Sequence, residues 1–120
     1  MDQRAGKKFR LKRRKDITRV FDHGRRAGDG RMTLLAICND LDHARAGVAI
    51  STRHGNAVKR NRIKRLCREV FRLNRVELPA GWDYIILPAR GGQVDLAGLQ
   101  ASLRTLAGRV TRPGSPKENH

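Results

Sequence analysis

The chain has 120 residues, with 27 Lys and Arg against 11 Asp and Glu, a formal net charge of +16 and 38% apolar residues. That length fits one domain with a modest core, and no run approaches the about 20 apolar residues that span a bilayer. An excess of cations on this scale points first to nucleic acid and second to an anionic membrane surface, and the second lacks an anchor.

Residues 1–8, with Arg4, Lys7 and Lys8, have no apolar period and read as a flexible basic arm. No apolar signal-peptide core follows those cations, so the expected compartment is the cytoplasm. Phe9 and Leu11 alternate with Arg10 and Lys12 as a short extended segment entering the domain. Asp16 is placed to cap a short helix carrying Ile17, Val20 and Phe21 at i, i+3, i+4, which Gly24 would end. Arg25 to Gly30 reads as a polar, glycine-containing loop. Met32–Cys38 and Ala46–Ser51 are short apolar runs bounded by turn residues, the pattern of buried strands. Cys38 and Cys67 fall in separate elements without a CxxC or a His at ligand spacing, which favours two buried thiols over a metal or redox pair.

The stretch from Asn56 to Leu73 organises the rest. Ile63, Leu66, Cys67, Val70 and Phe71 recur at helical spacing, while Lys59 to Arg68 holds six cations and no acid. Asn56 is the expected N-cap, which puts Lys59, Arg60 and Arg62 where the helix dipole already presents positive charge. Arg60/Lys64, Lys64/Arg68 and Arg68/Arg72 are like-charged i, i+4 pairs that add repulsion. A polyanion bound on that side would remove both costs. Ser51, Thr52 and Arg53 lie in the turn before the helix N-terminus, a location suited to phosphate.

After Leu73 a polar run and the Pro79-Ala80-Gly81 turn close the helix. Trp82–Leu87 is a third strand, which Pro88 either ends or marks as an edge. Asp95 caps a last helix with Leu96, Leu99, Leu103, Leu106 and Val110 on one face, and a Pro- and Gly-containing tail runs over 111–120. The order is that of one α+β domain over 9–110. Cleavage of phosphodiesters by the protein itself would need clustered carboxylates. Asp16, Asp22, Asp29, Asp40, Asp42, Glu69, Asp83 and Asp95 are scattered, and His23, His43, His54 and His120 pair with no nucleophile. No catalytic residue and no metal ligand is therefore assigned.

Asn56-Ala57-Val58-Lys59-Arg60-Asn61-Arg62-Ile63-Lys64-Arg65 closely resembles the protein subunit of bacterial ribonuclease P. The likeness extends to Phe9-Arg10-Leu11, Val20-Phe21, Leu41-Asp42-His43, Arg45-Ala46-Gly47 and Leu78-Pro79-Ala80-Gly81-Trp82-Asp83, covering Phe9 to Val110. The resemblance implies a single-domain α/β sandwich, mainly antiparallel, with a left-handed βαβ crossover that departs from the usual right-handed rule. It also implies an accessory role in removing the 5′ leader of precursor tRNA. In that family the RNA subunit is the catalyst and uses Mg2+, with no metal expected on the protein alone. The partners would be the catalytic RNA and precursor tRNA, with no membrane and no DNA.

By the same likeness Asn56, Lys59, Arg60, Asn61, Arg62, Lys64, Arg65 and Arg68 face the catalytic RNA. The leader lies in a groove with Phe9, Arg13, Ile17, Phe21, Ser51, Thr52, Arg53 and Arg90. At that groove the sequence departs from its relatives. Ile17 stands where many have an aromatic residue, Ala36 where another is common, and Thr52-Arg53-His54 where two lysines are usual. The competing assignment is a structural RNA-binding protein such as a ribosomal component. A DNA-binding module is disfavoured by the lack of a helix-turn-helix or dimerising heptads.

Overall fold

A computed structural model of the protein describes residues 8–91 and 95–112. The expected arm, apart from Lys8, and the tail beyond residue 112 lie outside the described residues. The elements are α1 (Arg14–His23), β1 (Arg25–Gly28), β2 (Met32–Cys38), β3 (Arg45–Val48), α2 (Ala57–Asn74), β4 (Trp82–Pro88) and α3 (Leu96–Val110), with 3-10 turns at Thr52–His54 and Arg75–Glu77.

The contiguous apolar runs of β2 and β4 can be buried on both faces only at the centre of a sheet. They pair antiparallel there, Leu34 opposite Ile86 and Ala36 opposite Tyr84, in the order β1-β2-β4-β3. β1 is antiparallel to β2, and β3 runs parallel to β4 through α2, forming the βαβ crossover. Alternation along the strands divides the core by face. Met32, Leu34, Ala36, Tyr84 and Ile86 pack against Ile63, Cys67, Val70 and Phe71 of α2 and Leu99, Leu103, Leu106 and Val110 of α3. On the opposite face Leu35 and Ile85 meet Leu11 and Val20, with Ile17, Ile37, Ala49 and Leu87 at the margin. The layers are α1, sheet, then α2 with α3.

Several sequence expectations are corrected. Arg25–Gly28 is a strand, not a loop. Its alternate residues are exposed, so little apolar signal marks it, and the hairpin is closed by Asp29, whose carboxylate accepts from the N–H groups of Arg31 and Met32 at 3.0 and 3.2 Å. Gly30, with φ +89°, supplies the left-handed residue of that turn. Asp16 is inside the first turn of α1, and the cap position is Arg13, which makes no side-chain cap bond. The second strand is Arg45–Val48, and Ala49–Ser51 runs past it. Pro88 ends β4, but β4 is central rather than an edge. Cys38 is exposed at the end of β2, whereas Cys67 is buried and its thiol is pushed up to about 12 by desolvation.

Thr111 and Arg112 are tied down. The Thr111 hydroxyl donates to the Ala107 carbonyl at 2.7 Å, and the Arg112 carbonyl accepts from Arg25 at 2.8 Å.

Candidate nucleic-acid interface

α2 starts where its sequence indicated. Asn56 accepts from the Lys59 N–H at 2.9 Å, and no acid occupies the first turn. Its buried side holds Ile63, Cys67, Val70 and Phe71, which turns Asn61, Lys64, Arg65 and Arg68 toward a recess of about 540 Å³ beside β3. Arg10, Arg72 and Arg75 line it too, with Phe9, Ala46, Val48, Glu69, Phe71 and Ile86. One carboxylate tempers the charge. Glu69 accepts two bonds from Arg72, at 2.9 and 2.6 Å, and that pairing holds its carboxyl below the usual range.

Of the eight residues assigned to the RNA subunit, the recess gathers four. Asn61, Lys64, Arg65 and Arg68 converge. Arg62 and Lys59 are exposed outside the recess, as is the cap Asn56. Arg60 is half-buried, its Nε enclosed without a hydrogen-bond partner, three residues before the core residue Ile63.

The residues assigned to the groove also divide. Ile17 lines a recess of about 280 Å³ on the α1 face, with Leu11, Lys12, Gly47, Ala49 and Ile85. Lys64 and Arg68 line this recess as well as the α2 one. A Cβ on Gly47 would come within 3.3 Å of the Leu11 carbonyl, so the bare glycine lets the incoming chain lie against β3. Ser51, Arg53 and Arg90 line a third recess of about 670 Å³ with His54, Ala49, Thr33 and Leu87. Arg13 is exposed at the start of α1, Thr52 is exposed in its turn, and Phe21 is 45% exposed one helical turn beyond Ile17.

Phe9 is set apart from these. It packs with the core on the α2 face, and the Arg75 guanidinium lies 3.6 Å from its ring centroid. Lys8 Nζ is 5.2 Å from the same centroid, and the His43 ring meets it edge-on at 5.4 Å. A base could stack on the face that Arg75 covers only by displacing that cation.

The turn before α2 is built around His54. Its Nδ1 accepts from the Ser51 N–H at 3.1 Å, which leaves the proton on Nε2 to donate to the Pro88 carbonyl at 2.8 Å. The Ser51 hydroxyl accepts from Arg53 N–H at 3.2 Å. His54 thus ties the turn to the end of β4 and leaves Arg53 pointing free of the core.

Residues 6–111 match the family model described as Ribonuclease P. The chain belongs to the ribonuclease P protein family. It is 39% identical over 108 residues to the ribonuclease P protein component of Syntrophobacter fumaroxidans, covering 87% of this chain and 91% of that one. The ribonuclease P protein of Thermotoga maritima superposes with a TM-score of 0.77 at 29% identity, over 86% of this chain and 98% of that chain. The Staphylococcus aureus ribonuclease P protein does so at 0.72 and 28% identity, over 87% and 98%.

The protein is thereby the accessory subunit of an endoribonuclease, and its function is in tRNA processing. Ribonuclease P protein components work with an RNA subunit and tRNA. Among the described residues no group of three or more His, Cys, Asp or Glu side chains is placed to hold a metal ion. No described helix is long and apolar enough to cross a membrane.

Arg10, Lys12, Arg72 and Arg75 line the recesses in addition to the site residues expected from the sequence. Arg72 and Arg75 continue the stripe Asn61, Lys64/Arg65, Arg68 at helical spacing, so extending the period would have found them. Arg10 and Lys12 carry no local signal, since only the pairing of Phe9–Leu11 with Ala46 brings them to α2.

Proposed function

We propose that the α2 recess docks the catalytic RNA and that the α1-face recesses hold the 5′ leader of precursor tRNA, in the cytoplasm, away from membranes and DNA. Asn61, Lys64, Arg65 and Arg68, with Arg10, Arg72 and Arg75, supply the affinity for the RNA subunit through release of phosphate counterions. Asn56, Lys59, Arg60 and Arg62 extend that surface around the helix N-terminus. Ile17 and Phe21 offer apolar contact to leader bases, and Ser51, Thr52, Arg53, Arg90 and Arg13 offer hydrogen bonds and charge to the leader backbone. Phe9 serves by holding Arg75. Residues 9–110 carry the RNA-binding unit, and the segments 1–8 and 111–120 flank it.

The observation that carries this reading is the continuity of the recesses along β3. Ala46 and Val48 line the first two, Ala49 lines the second and third, and Lys64 with Arg68 borders both sides of the edge strand. A leader can therefore run along one side of that strand while the RNA subunit meets the other. The Mg2+ chemistry of cleavage resides with the RNA subunit in this reading.

Reconstitution tests it. Precursor tRNA is incubated with the RNA subunit alone, the protein alone and both, at low Mg2+ and moderate salt. Stimulation of RNA-catalysed cleavage by the protein is the expected result. Cleavage by the protein alone overturns the assignment of catalysis, and absence of stimulation favours a purely structural RNA-binding role.

A further inference from the structure

We propose that Arg45 and Asp16 act as a latch that sets the distance between α1 and the sheet, and so the width of the leader groove. The inference rests on the groove reading above and names the residues that give the groove its shape.

Arg45 is on the edge strand β3. Its Nε and Nη2 donate to the two carboxylate oxygens of Asp83 at 2.8 and 2.7 Å, and Asp83 is only 1% exposed. Asn39 Nδ2 donates to Oδ1 of the same carboxylate at 2.8 Å, a further bond that fixes it. The fork geometry leaves the guanidinium no freedom to rotate. From that fixed position Nη2 lies 3.7 Å from Asp16 Oδ2, and both side chains are about one-fifth exposed. Asp16 directly precedes Ile17, the α1 residue that lines the groove.

The two ends of α1 are held differently. At the C-terminal end Val20 is fully buried and Gly24 approaches β2 so closely that a Cβ there would come within 3.0 Å of the Ala36 carbonyl. Arg19 adds a bond to the Cys38 carbonyl at 3.2 Å. At the N-terminal end the neighbouring Arg13, Arg14 and Lys15 are exposed, and Ile17 is only partly covered. Asp16 is the side chain there that reaches a charge fixed to the sheet. Loss of that contact frees the groove end of the helix while the other end stays anchored.

Asp16→Asn separates this role from simple electrostatics. The substitution removes a negative charge from an RNA-binding surface, so charge alone predicts tighter binding of every RNA. A latch predicts the opposite for one ligand. In the holoenzyme reconstituted with the RNA subunit, the preference for precursor over mature tRNA should fall about three- to tenfold, as for partners in one ion-pair network. Affinity for the RNA subunit and the salt slope should stay at native values. Asp16→Glu, which keeps the carboxylate and can span the gap, should retain the native preference.

An unchanged or increased preference in Asp16→Asn overturns the latch, as does an equal loss in Asp16→Glu. Native holoenzyme that fails to prefer precursor at all removes the groove reading and the latch with it. Native preference that survives Asp16→Asn removes the latch alone.

Discussion

Replacing Lys64 and Arg68 together with alanine should flatten the salt dependence of binding to the RNA subunit by a calculable amount. These two side chains border both the α2 recess and the Ile17 recess, so each is placed to meet a phosphate. Each phosphate contact contributes about 0.7 to the slope of log affinity against log salt on a single strand and about 0.9 on a duplex. Two contacts therefore account for about 1.4–1.8. Between about 50 and about 200 mM salt the native protein should lose roughly seven- to twelvefold more affinity than the double variant. The fold should persist, because Lys64 and Arg68 are like charges one helical turn apart whose removal relieves repulsion.

The assay is a filter-binding or fluorescence titration at four or five salt concentrations. Arg104→Ala with Arg109→Ala is the control, on α3 and outside all three recesses, with Arg104 facing Glu77 at 3.5 Å. A native slope in the Lys64/Arg68 variant, or equal flattening by the control pair, would refute a localised interface and leave only diffuse charge.

Other outcomes follow from separate features. Arg45→Ala strands the Asp83 carboxylate in the core and should destabilise the fold by about 3–5 kcal/mol in urea unfolding, as expected for breaking a buried pair; a loss near zero would mean that water reaches Asp83. Ile17→Phe adds a stacking surface to the groove and should tighten precursor binding more than mature tRNA binding, by up to roughly 1–3 kcal/mol, whereas equal effects on both would place Ile17 off the leader path. In thiol titration the native protein should show Cys38 reacting and Cys67 protected at pH 9, both reacting once unfolded, because burial holds the Cys67 thiol protonated up to about 12. Rapid modification of Cys67 in the folded state would contradict that burial. His54→Leu removes an acceptor for Ser51 N–H and a donor to Pro88, and should weaken precursor binding through Arg53 with little change in RNA-subunit affinity.

Local patterns carried much of this protein on their own. The helical period of Ile63, Cys67, Val70 and Phe71 located the buried side of α2, and the Asn56 and Asp95 caps both accept the bonds expected of them. The runs Met32–Cys38 and Trp82–Leu87 were legible as strands because residues buried on both faces are mostly apolar, although only the pairing placed β4 in the centre of the sheet. The family was readable too, from the Asn56–Arg65 stretch and its flanking segments.

What no local pattern contained was anything decided by pairing across the chain. β1 is stabilised by backbone bonds to β2, which any side chain can make, so its polar sequence disguised it. Asp16 has the composition of a cap, yet its role depends on a guanidinium that β3 brings from twenty-nine residues away. Phe9 and Ile17 read alike as apolar residues beside cations, but the parallel bridge of Arg10 to Ala46 sends Phe9 to one face of the sheet while α1 holds Ile17 on the other. Periodicity reports which side of an element is buried. Which partner covers it, and which cations gather around an edge strand, depends on contacts between residues far apart in sequence, and those exist only once the sheet has formed.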